Sequence, residues 1–176
     1  MACIVCKNLI QQRQVVSIPG KWCLSNQQYS VLNDFLFLQD QRYQDLWLNL
    51  EPLFKNNVKE AIMSSLATES SMVRSQIASL IAAIAQIEIP RGEWTELITN
   101  LCTNASHENQ QIRLTSLLTI GYICEELNPE DLTQELKNQI MLALTNNISK
   151  EGENVEACRL AIKALLNSIP YTTANF

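Results

Sequence analysis

The second half of the chain repeats a pattern of apolar positions at helical spacing. Apolar side chains recur every three or four residues in 73–87, and the same spacing returns in 117–127 and 155–169. Residues three and four positions apart lie on one face of a helix, so each segment predicts an amphipathic helix. The members are Val73, Ile77, Leu80, Ile84 and Ile87 in the first segment, Leu117, Ile120, Cys124 and Leu127 in the second, and Val155, Cys158, Ile162, Leu165 and Ile169 in the third.

A fixed interval relates these segments. Arg74 and Arg113 are 39 residues apart, and so are Pro90 and Pro129, while Arg159 follows Arg113 by 46 residues. A unit of about 40 to 47 residues is the period of HEAT-type helical repeats. The prolines are expected to end their helices, because proline lacks an N–H and clashes with the preceding turn.

Each repeated helix follows another amphipathic segment, at 58–66, 94–102 and 136–144, after a short polar link. Short links make antiparallel neighbours, so each unit predicts a helical hairpin. One hairpin cannot bury its apolar stripe alone, but stacked hairpins can. The prediction is an all-α fold, an α-solenoid of HEAT-type antiparallel hairpins. Its repeat units are 43–90, 91–129 and 130–170, and the next repeat begins at 171–176. Ile81, Ile120 and Leu166 occupy equivalent positions in the three units, and we expect them to face the core.

Residues 11–42 lack the repeated arginine and proline, and Pro19-Gly20 breaks any helix there. We expect this stretch to be an insertion or linker and the least ordered part of the chain. A short helix over 29–38 that packs on the stack is the alternative.

The composition is typical of a globular helical protein: 47% of residues are hydrophobic, 18% are charged, and only 4 are glycine. A net charge of −5 disfavours nucleic acid as a partner, because phosphate contacts need clustered basic side chains. This negative charge is compatible with a protein partner that has a basic face. Alternatively, it is only the mild acidity that is ordinary for soluble domains. No apolar run reaches the roughly 20 residues of a membrane span. The N-terminus makes a poor secretory signal, so we expect an intracellular protein without membrane insertion, whose six cysteines are reduced.

The sequence offers little material for catalysis or metal binding. His107 is the single histidine and lies in a polar link, and Cys3-x-x-Cys6 has no second pair to complete a zinc or redox site. We therefore predict no enzyme activity, no cofactor and no metal. An enzyme that uses Cys3 and Cys6, or a carboxylate pair, is the least favoured alternative.

Three junctions carry a family resemblance. They are Ile87-Glu-Ile-Pro90 followed by Trp94-Thr-Glu-Leu-Ile98, then Leu118–Glu125 with Asn128-Pro129-Glu130, then Ala164–Ser168 with Ala174-Asn-Phe176. In order and spacing they resemble successive repeats of the importin-β (karyopherin-β) family, near its N-terminus. Cys6-Lys-Asn8 resembles the end of a preceding repeat, so residues 1–10 are read as its remnant. The resemblance covers roughly residues 43–176 and 2–9.

The sequence departs from the family pattern in two places. Thr68, His107 and Glu153 stand where a HEAT repeat usually has an aspartate, six residues before each repeated arginine. The arginines are still expected to form a packed polar ladder rather than to contact a ligand. Residues 11–40 exceed the family's link and are either an insertion or translated intron.

The resemblance implies a nuclear import receptor, found in cytoplasm and nucleus and at nuclear envelope pores. The helices at 71–87, 110–127 and 154–169 would line a concave face that binds the GTP-bound GTPase Ran, at residues that remain unknown. The preceding helices would meet Phe-Gly nucleoporins, with the contact positions on Met141, Leu142 and Thr145. Thr145 departs from the larger aliphatic residue usual there, and Met141 and Leu142 could instead be core residues. Cargo or an importin-α adaptor would bind later repeats. The alternative is a static HEAT scaffold such as a phosphatase regulatory subunit. The Glu-Ile-Pro/Trp motif disfavours this alternative.

Overall fold

The computed structural model describes residues 41–149 and 155–175, and helices are their only regular structure. The chain divides into two compact units, residues 1–64 and 65–176. The first contains α1 (Gln41–Leu48) and α2 (Pro52–Ser64). The second contains α3 (Ser71–Glu88), α4 (Leu97–Asn104), α5 (Gln110–Glu126), α6 (Gln134–Ser149) and α7 (Val155–Asn167). Short 3₁₀ segments lie at Ser65–Ala67, Ile89–Arg91, Pro129–Asp131 and Ile169–Asn175.

In the first unit, α2 begins at Pro52, where a proline costs nothing because the first N–H groups of a helix have no partner within it. Val58 and Ile62 lie one turn apart and are buried, whereas Leu53 on the same helix is 72% exposed. Predictions for residues 1–40, including those for Cys3 and Cys6, lie outside the described residues.

Side-chain caps fix where the helices of the second unit begin. The Ser70 hydroxyl accepts the N–H of Val73 at the start of α3 (3.4 Å). The Asn109 side chain accepts the N–H of Gln111 at 2.8 Å and begins α5. Each cap satisfies donors that the helix itself leaves unpaired.

The Glu-Ile-Pro/Trp motif forms the turn after α3. The helix ends at Glu88, which is fully buried, and Pro90 lies in the following 3₁₀ segment. Gly92 then takes a φ of 72°, a left-handed conformation that glycine adopts without steric cost. Trp94 also has a positive φ (53°) and is 8% exposed, so its ring anchors the reversal into α4.

The second unit has two layers. Helices α3, α5 and α7 pack side by side as the α3–α5–α7 layer, and α4 and α6 form the α4–α6 layer beside them. Within the predicted units 91–129 and 130–170, α4 packs on α5 and α6 packs on α7. This arrangement confirms the all-helical prediction. The core includes Ile84, Leu101, Leu117, Ile123 and Leu144, each of which is fully buried.

Helix α5 packs between α3 and α7 and buries several polar residues of its middle turns. Thr115 and Thr119 are fully buried, and each hydroxyl donates to the carbonyl four residues earlier, at 2.8 and 2.7 Å. Intrahelical bonds of this kind satisfy a buried hydroxyl. The Thr115 hydroxyl also lies 2.8 Å from the Leu66 carbonyl, a second acceptor outside the helix.

Hydrogen bonds also connect neighbouring repeats within the second unit. The Asn147 side chain donates to the Ala105 carbonyl at 3.0 Å, and the Tyr171 hydroxyl donates to the Leu127 carbonyl at 2.8 Å. Gly121 allows α5 and α7 to approach closely, because a Cβ there would lie 3.3 Å from the Cβ of Ala164.

The common core register holds for two of its three members. Ile81 and Ile120 are fully buried, but the prediction for Leu166 is wrong, since this residue is 61% exposed. Helix α7 turns its small face towards α5 and α6, and the larger apolar residues lie on the opposite face. The buried positions are Ala157, Leu160, Ala161 and Ala164, and the exposed ones from the predicted stripe are Val155 and Ile162. Ile169, the last member of that stripe, is exposed in the 3₁₀ segment after α7.

By length and composition alone, Ser71–Arg91 could cross a membrane. In the structure this segment behaves as a core helix, with Ile81 and Ile84 fully buried.

Candidate binding surfaces

The three residues predicted to contact nucleoporins lie together on α6. Leu142 is 61% exposed, and Thr145 is exposed one turn further on. Met141 is half-buried, and its sulfur accepts a hydrogen bond from the Ser168 hydroxyl at 3.5 Å. The core face of the helix is formed by Ile140, Ala143, Leu144 and Asn147. Leu142 is therefore a surface residue, and only Met141 packs partly against the end of α7.

The hydroxyl of Thr145 is already satisfied within the helix. It lies 2.9 Å from the Met141 carbonyl and 3.1 Å from the Leu142 carbonyl. An apolar group that packs on Thr145 would therefore not have to strip this hydroxyl of water. The threonine weakens the apolar surface less than its residue type implies.

The side of α6 that faces α4 is polar. The Thr99 hydroxyl donates to the Gln139 side-chain oxygen across the two helices at 3.2 Å. Away from this polar side, Met141, Leu142 and Thr145 form a surface that we call the α6 patch.

The predicted arginine ladder is packed at one end and exposed at the other. Arg74 is 7% exposed and donates to the Gln111 side chain on the neighbouring helix. The Arg159 side chain is 60% exposed and pairs with Glu156 at 2.6 Å. The hydrogen bond from Arg159, with the charges of Arg159 and Arg74, lowers the pKa of Glu156 against the opposing effect of burial. The expectation of a packed ladder fits Arg74 and fails for Arg159.

A shallow groove runs between α5 and α7 on the surface of their layer. The Lys163 ammonium lies 6.0 Å from the centroid of the Tyr122 ring. The Asn167 amide donates to the Gly121 carbonyl at 3.0 Å and to the Glu125 carboxylate at 3.3 Å. The walls of this α5–α7 groove are formed by Leu117, Leu118, Gly121, Tyr122, Leu160, Lys163, Ala164 and Asn167. The apolar pattern of the sequence did not predict this groove; a glycine at Gly121 and an alanine at Ala164, in consecutive repeats, are the signal that could have indicated it.

The titratable groups of the described residues do not assemble a reactive centre. Burial raises the pKa of the Cys102 and Cys124 thiols to about 12, so both stay protonated and poorly nucleophilic at neutral pH. His107 accepts the N–H of Asn109 at 2.9 Å in the link before α5. Within 41–149 and 155–175, no group of three or more His, Cys, Asp or Glu side chains could hold a metal ion.

Relatives with similar sequences are import receptors. Over 140 residues the chain is 30% identical to importin subunit beta-1 of Arabidopsis thaliana, covering 78% of this chain and 16% of that protein. It is 32% identical over 135 residues to importin subunit beta-1 of Schizosaccharomyces pombe, covering 76% and 16%. The chain belongs to the importin-β family. It spans about a sixth of the length of these relatives, and no family model matches it.

Solved importin-β structures share the fold. Importin beta crystallised in an ammonium sulfate condition superimposes with a TM-score of 0.80 at 27% identity, covering 99% of this chain and 20% of that one. Two further neighbours have the same coverage: Kap95p bound to RanGDP (TM-score 0.80, 23% identity) and the Kap95:Nup1 complex (0.76, 24%). Members of the importin-β family are transport receptors and not enzymes, so neither the enzyme alternative nor the phosphatase scaffold gains support.

Proposed function

We propose that this chain is an N-terminal stretch of a nuclear import receptor with two binding surfaces. The α3–α5–α7 layer binds GTP-bound Ran, and the α6 patch binds Phe-Gly nucleoporins. Cargo or an importin-α adaptor binds the later repeats of the receptor, which shuttles between cytoplasm and nucleus through nuclear envelope pores. Nucleic acid and membrane lipid are not partners.

The observation that carries the nucleoporin surface is the exposure of Leu142. A large aliphatic side chain that is 61% exposed beside a half-buried methionine offers a phenylalanine ring apolar area and a thioether contact. The Thr99–Gln139 bridge limits this surface on the side of α4. One ring in a shallow patch supports weak binding, which suits a receptor that must move from one repeat to the next.

Support for the GTPase surface comes from the Kap95p neighbour, in which binding induces the switch loops of RanGDP to adopt the GTP-bound conformation. A ligand that must first rearrange binds more weakly by the free energy of that rearrangement. GTP-loaded Ran already has the required loops, so it should bind this chain more tightly than GDP-loaded Ran.

A nucleotide-dependent binding assay tests this proposal. Immobilised chain should retain Ran loaded with a non-hydrolysable GTP analogue at concentrations where GDP-loaded Ran washes off. Equal retention of the two forms, or retention of neither, would overturn the GTPase assignment.

The α6 patch is tested by Leu142→Asp. This change should abolish binding of a Phe-Gly repeat peptide, because it places a charge where the ring packs, and leave the melting temperature within about 2 °C, since exposed sites contribute little to stability. Leu53→Asp is the matched control, because Leu53 is also exposed and lies outside the patch. Equal peptide affinity in the two variants would remove the patch from the site.

A further inference from the structure

The sulfur of Met141 lies at the boundary between the α6 patch and the core. The residue is half-buried, between the exposed Leu142 and Thr145 of the patch and the end of α7. The Ser168 hydroxyl lies 3.5 Å from the sulfur and donates a hydrogen bond to it, and Ser168 is fully buried. The interior therefore covers the sulfur on the side of Ser168, and the exposed part of Met141 lies on the side of the patch.

The thioether is the group of the α6 patch that a peroxide can oxidise. A sulfur lone pair attacks one oxygen of hydrogen peroxide, the O–O bond breaks, and the second oxygen leaves as water with both protons. The sulfur gives up two electrons, the peroxide is reduced, and the product is methionine sulfoxide. This reaction converts an apolar side chain into a polar one.

The position of Ser168 determines where the added oxygen can lie. A hydrogen bond between two oxygens needs about 2.5–3.0 Å. The 3.5 Å between the sulfur and the Ser168 oxygen cannot also hold an S–O bond along that line. The sulfoxide oxygen therefore lies on the patch side, beside Leu142, where a phenylalanine ring would pack. A ring that packs there would bury this oxygen, and burial of an unpaired polar group opposes binding.

The fold does not depend on the hydrogen bond to the sulfur. The Ser168 hydroxyl also lies 2.8 Å from the Leu165 carbonyl, so it keeps an acceptor when Met141 is oxidised. The buried face of α6 is formed by other residues, such as Ile140 and Leu144. Oxidation should therefore alter the surface of α6 and leave the packing of α6 on α7 in place.

Two buried thiols of the second unit do not compete for the oxidant. Peroxide reacts with thiolates, and burial raises the pKa of Cys102 and Cys124 to about 12, so both stay protonated. Met72 is a different case, because it is 56% exposed and should be oxidised at least as readily as Met141. It lies on α3 in the other layer, outside the α6 patch. The chain thus contains its own control for methionine oxidation elsewhere.

We propose that Met141 is an oxidation-sensitive site that switches the α6 patch off. Hydrogen peroxide converts Met141 to the sulfoxide, whose oxygen prevents an apolar ring from packing on the patch. Reduction of the sulfoxide by methionine sulfoxide reductase restores the patch. This inference rests on the proposed nucleoporin function and adds regulation to that same surface.

Peroxide treatment of the full 176-residue chain tests this site, with a Phe-Gly repeat peptide as the probe and peptide mapping to locate the added oxygen. The oxidised chain should bind the peptide about tenfold more weakly, because a buried polar group without a partner costs about that factor. Treatment with methionine sulfoxide reductase should restore the affinity. The melting curve should be the same before and after oxidation.

Three variants locate the effect. Met141→Leu should keep its peptide affinity through the peroxide treatment, because leucine has no sulfur and a similar volume. Met72→Leu is the matched control and should lose affinity on treatment as the unmodified sequence does. Met141→Gln places a polar group at the same site, so it should bind weakly without any peroxide.

The proposal is wrong if the sulfoxide forms at Met141 and the peptide affinity is unchanged. An equal loss in Met141→Leu and in the unmodified sequence would also overturn it, and so would oxidation of Met72 that leaves Met141 untouched. A large fall in the melting temperature of the oxidised chain would mean damage to the fold and not a switch. Failure of the untreated chain to bind the peptide would instead refute the proposed nucleoporin function, and the inference with it.

Discussion

The packing of α5 on α7 should depend on the absence of a side chain at Gly121. A Cβ at this position would lie 3.3 Å from the Cβ of Ala164 and 3.5 Å from its Cα, so even one methyl group is crowded and part of the obstacle is backbone. Gly121→Val adds two further carbons that the gap does not hold. Overpacking of this kind costs about 1–3 kcal/mol, against which valine regains only a few tenths of a kcal/mol in helix propensity.

The assay is thermal unfolding of the full chain followed by circular dichroism at 222 nm. A loss of about 1–3 kcal/mol should lower the melting temperature by roughly 3–10 °C in a protein of this size. Ala164→Gly should cost less in the Gly121→Val background than in the unmodified chain, where it costs about 1 kcal/mol in helix propensity, because it removes a group with which the valine collides. Asn146→Val, at an exposed position on α6, is the control for placing a β-branched residue in a helix. A melting temperature that is unchanged or raised by Gly121→Val would refute the close approach of the two helices.

Two further predictions concern stability. Ile81→Asp should unfold the second unit, because an unpaired buried carboxylate costs several kcal/mol. Leu166→Asp, on the exposed face of α7, should leave the midpoint of urea unfolding nearly unchanged. Equal midpoints in the two variants would contradict the assigned faces. Burial raises the pKa of Tyr171 above its ordinary value of 10.0, so its contribution is complete below about pH 10 and is lost as pH rises towards the folded pKa. Tyr171→Phe should cost about 0.5–1.5 kcal/mol at pH 7 and flatten this alkaline loss, and an unaltered pH profile would count against the buried hydroxyl.

The sequence was sufficient for the helices of the second unit and their order. The 39-residue interval brings the same residue types back at the same register, and the links contain the side chains that cap the helices, such as Ser70 and Asn109. Local chemistry of this kind depends on a few neighbouring residues, so it can be predicted without knowing what packs on what. The turn at Gly92 and Trp94 was recognisable as a motif, although its two left-handed residues were not.

The sequence was not sufficient where a property depends on the neighbouring helix. The repeat register that relates Leu166 to Ile81 and Ile120 predicted a core position, but neither register nor spacing tells which of two opposite helix faces is covered. The small residues of α7 pack on α5 because Gly121 allows it, and this choice turns the larger residues outward. In the same way, Tyr122 and Lys163 lie 41 residues apart in sequence and meet only through the phase of two stacked helices. The orientation of the Thr145 hydroxyl is likewise set by its rotamer and not by its spacing.

The assignment of the two surfaces is tested most directly by hydrogen exchange of the chain with and without Ran loaded with a GTP analogue. This assignment predicts added protection in the α3–α5–α7 layer, residues 71–88, 110–126 and 155–167, and no change around Leu142 on α6. Protection confined to α6, or no difference anywhere along the chain at saturating GTPase, would contradict it.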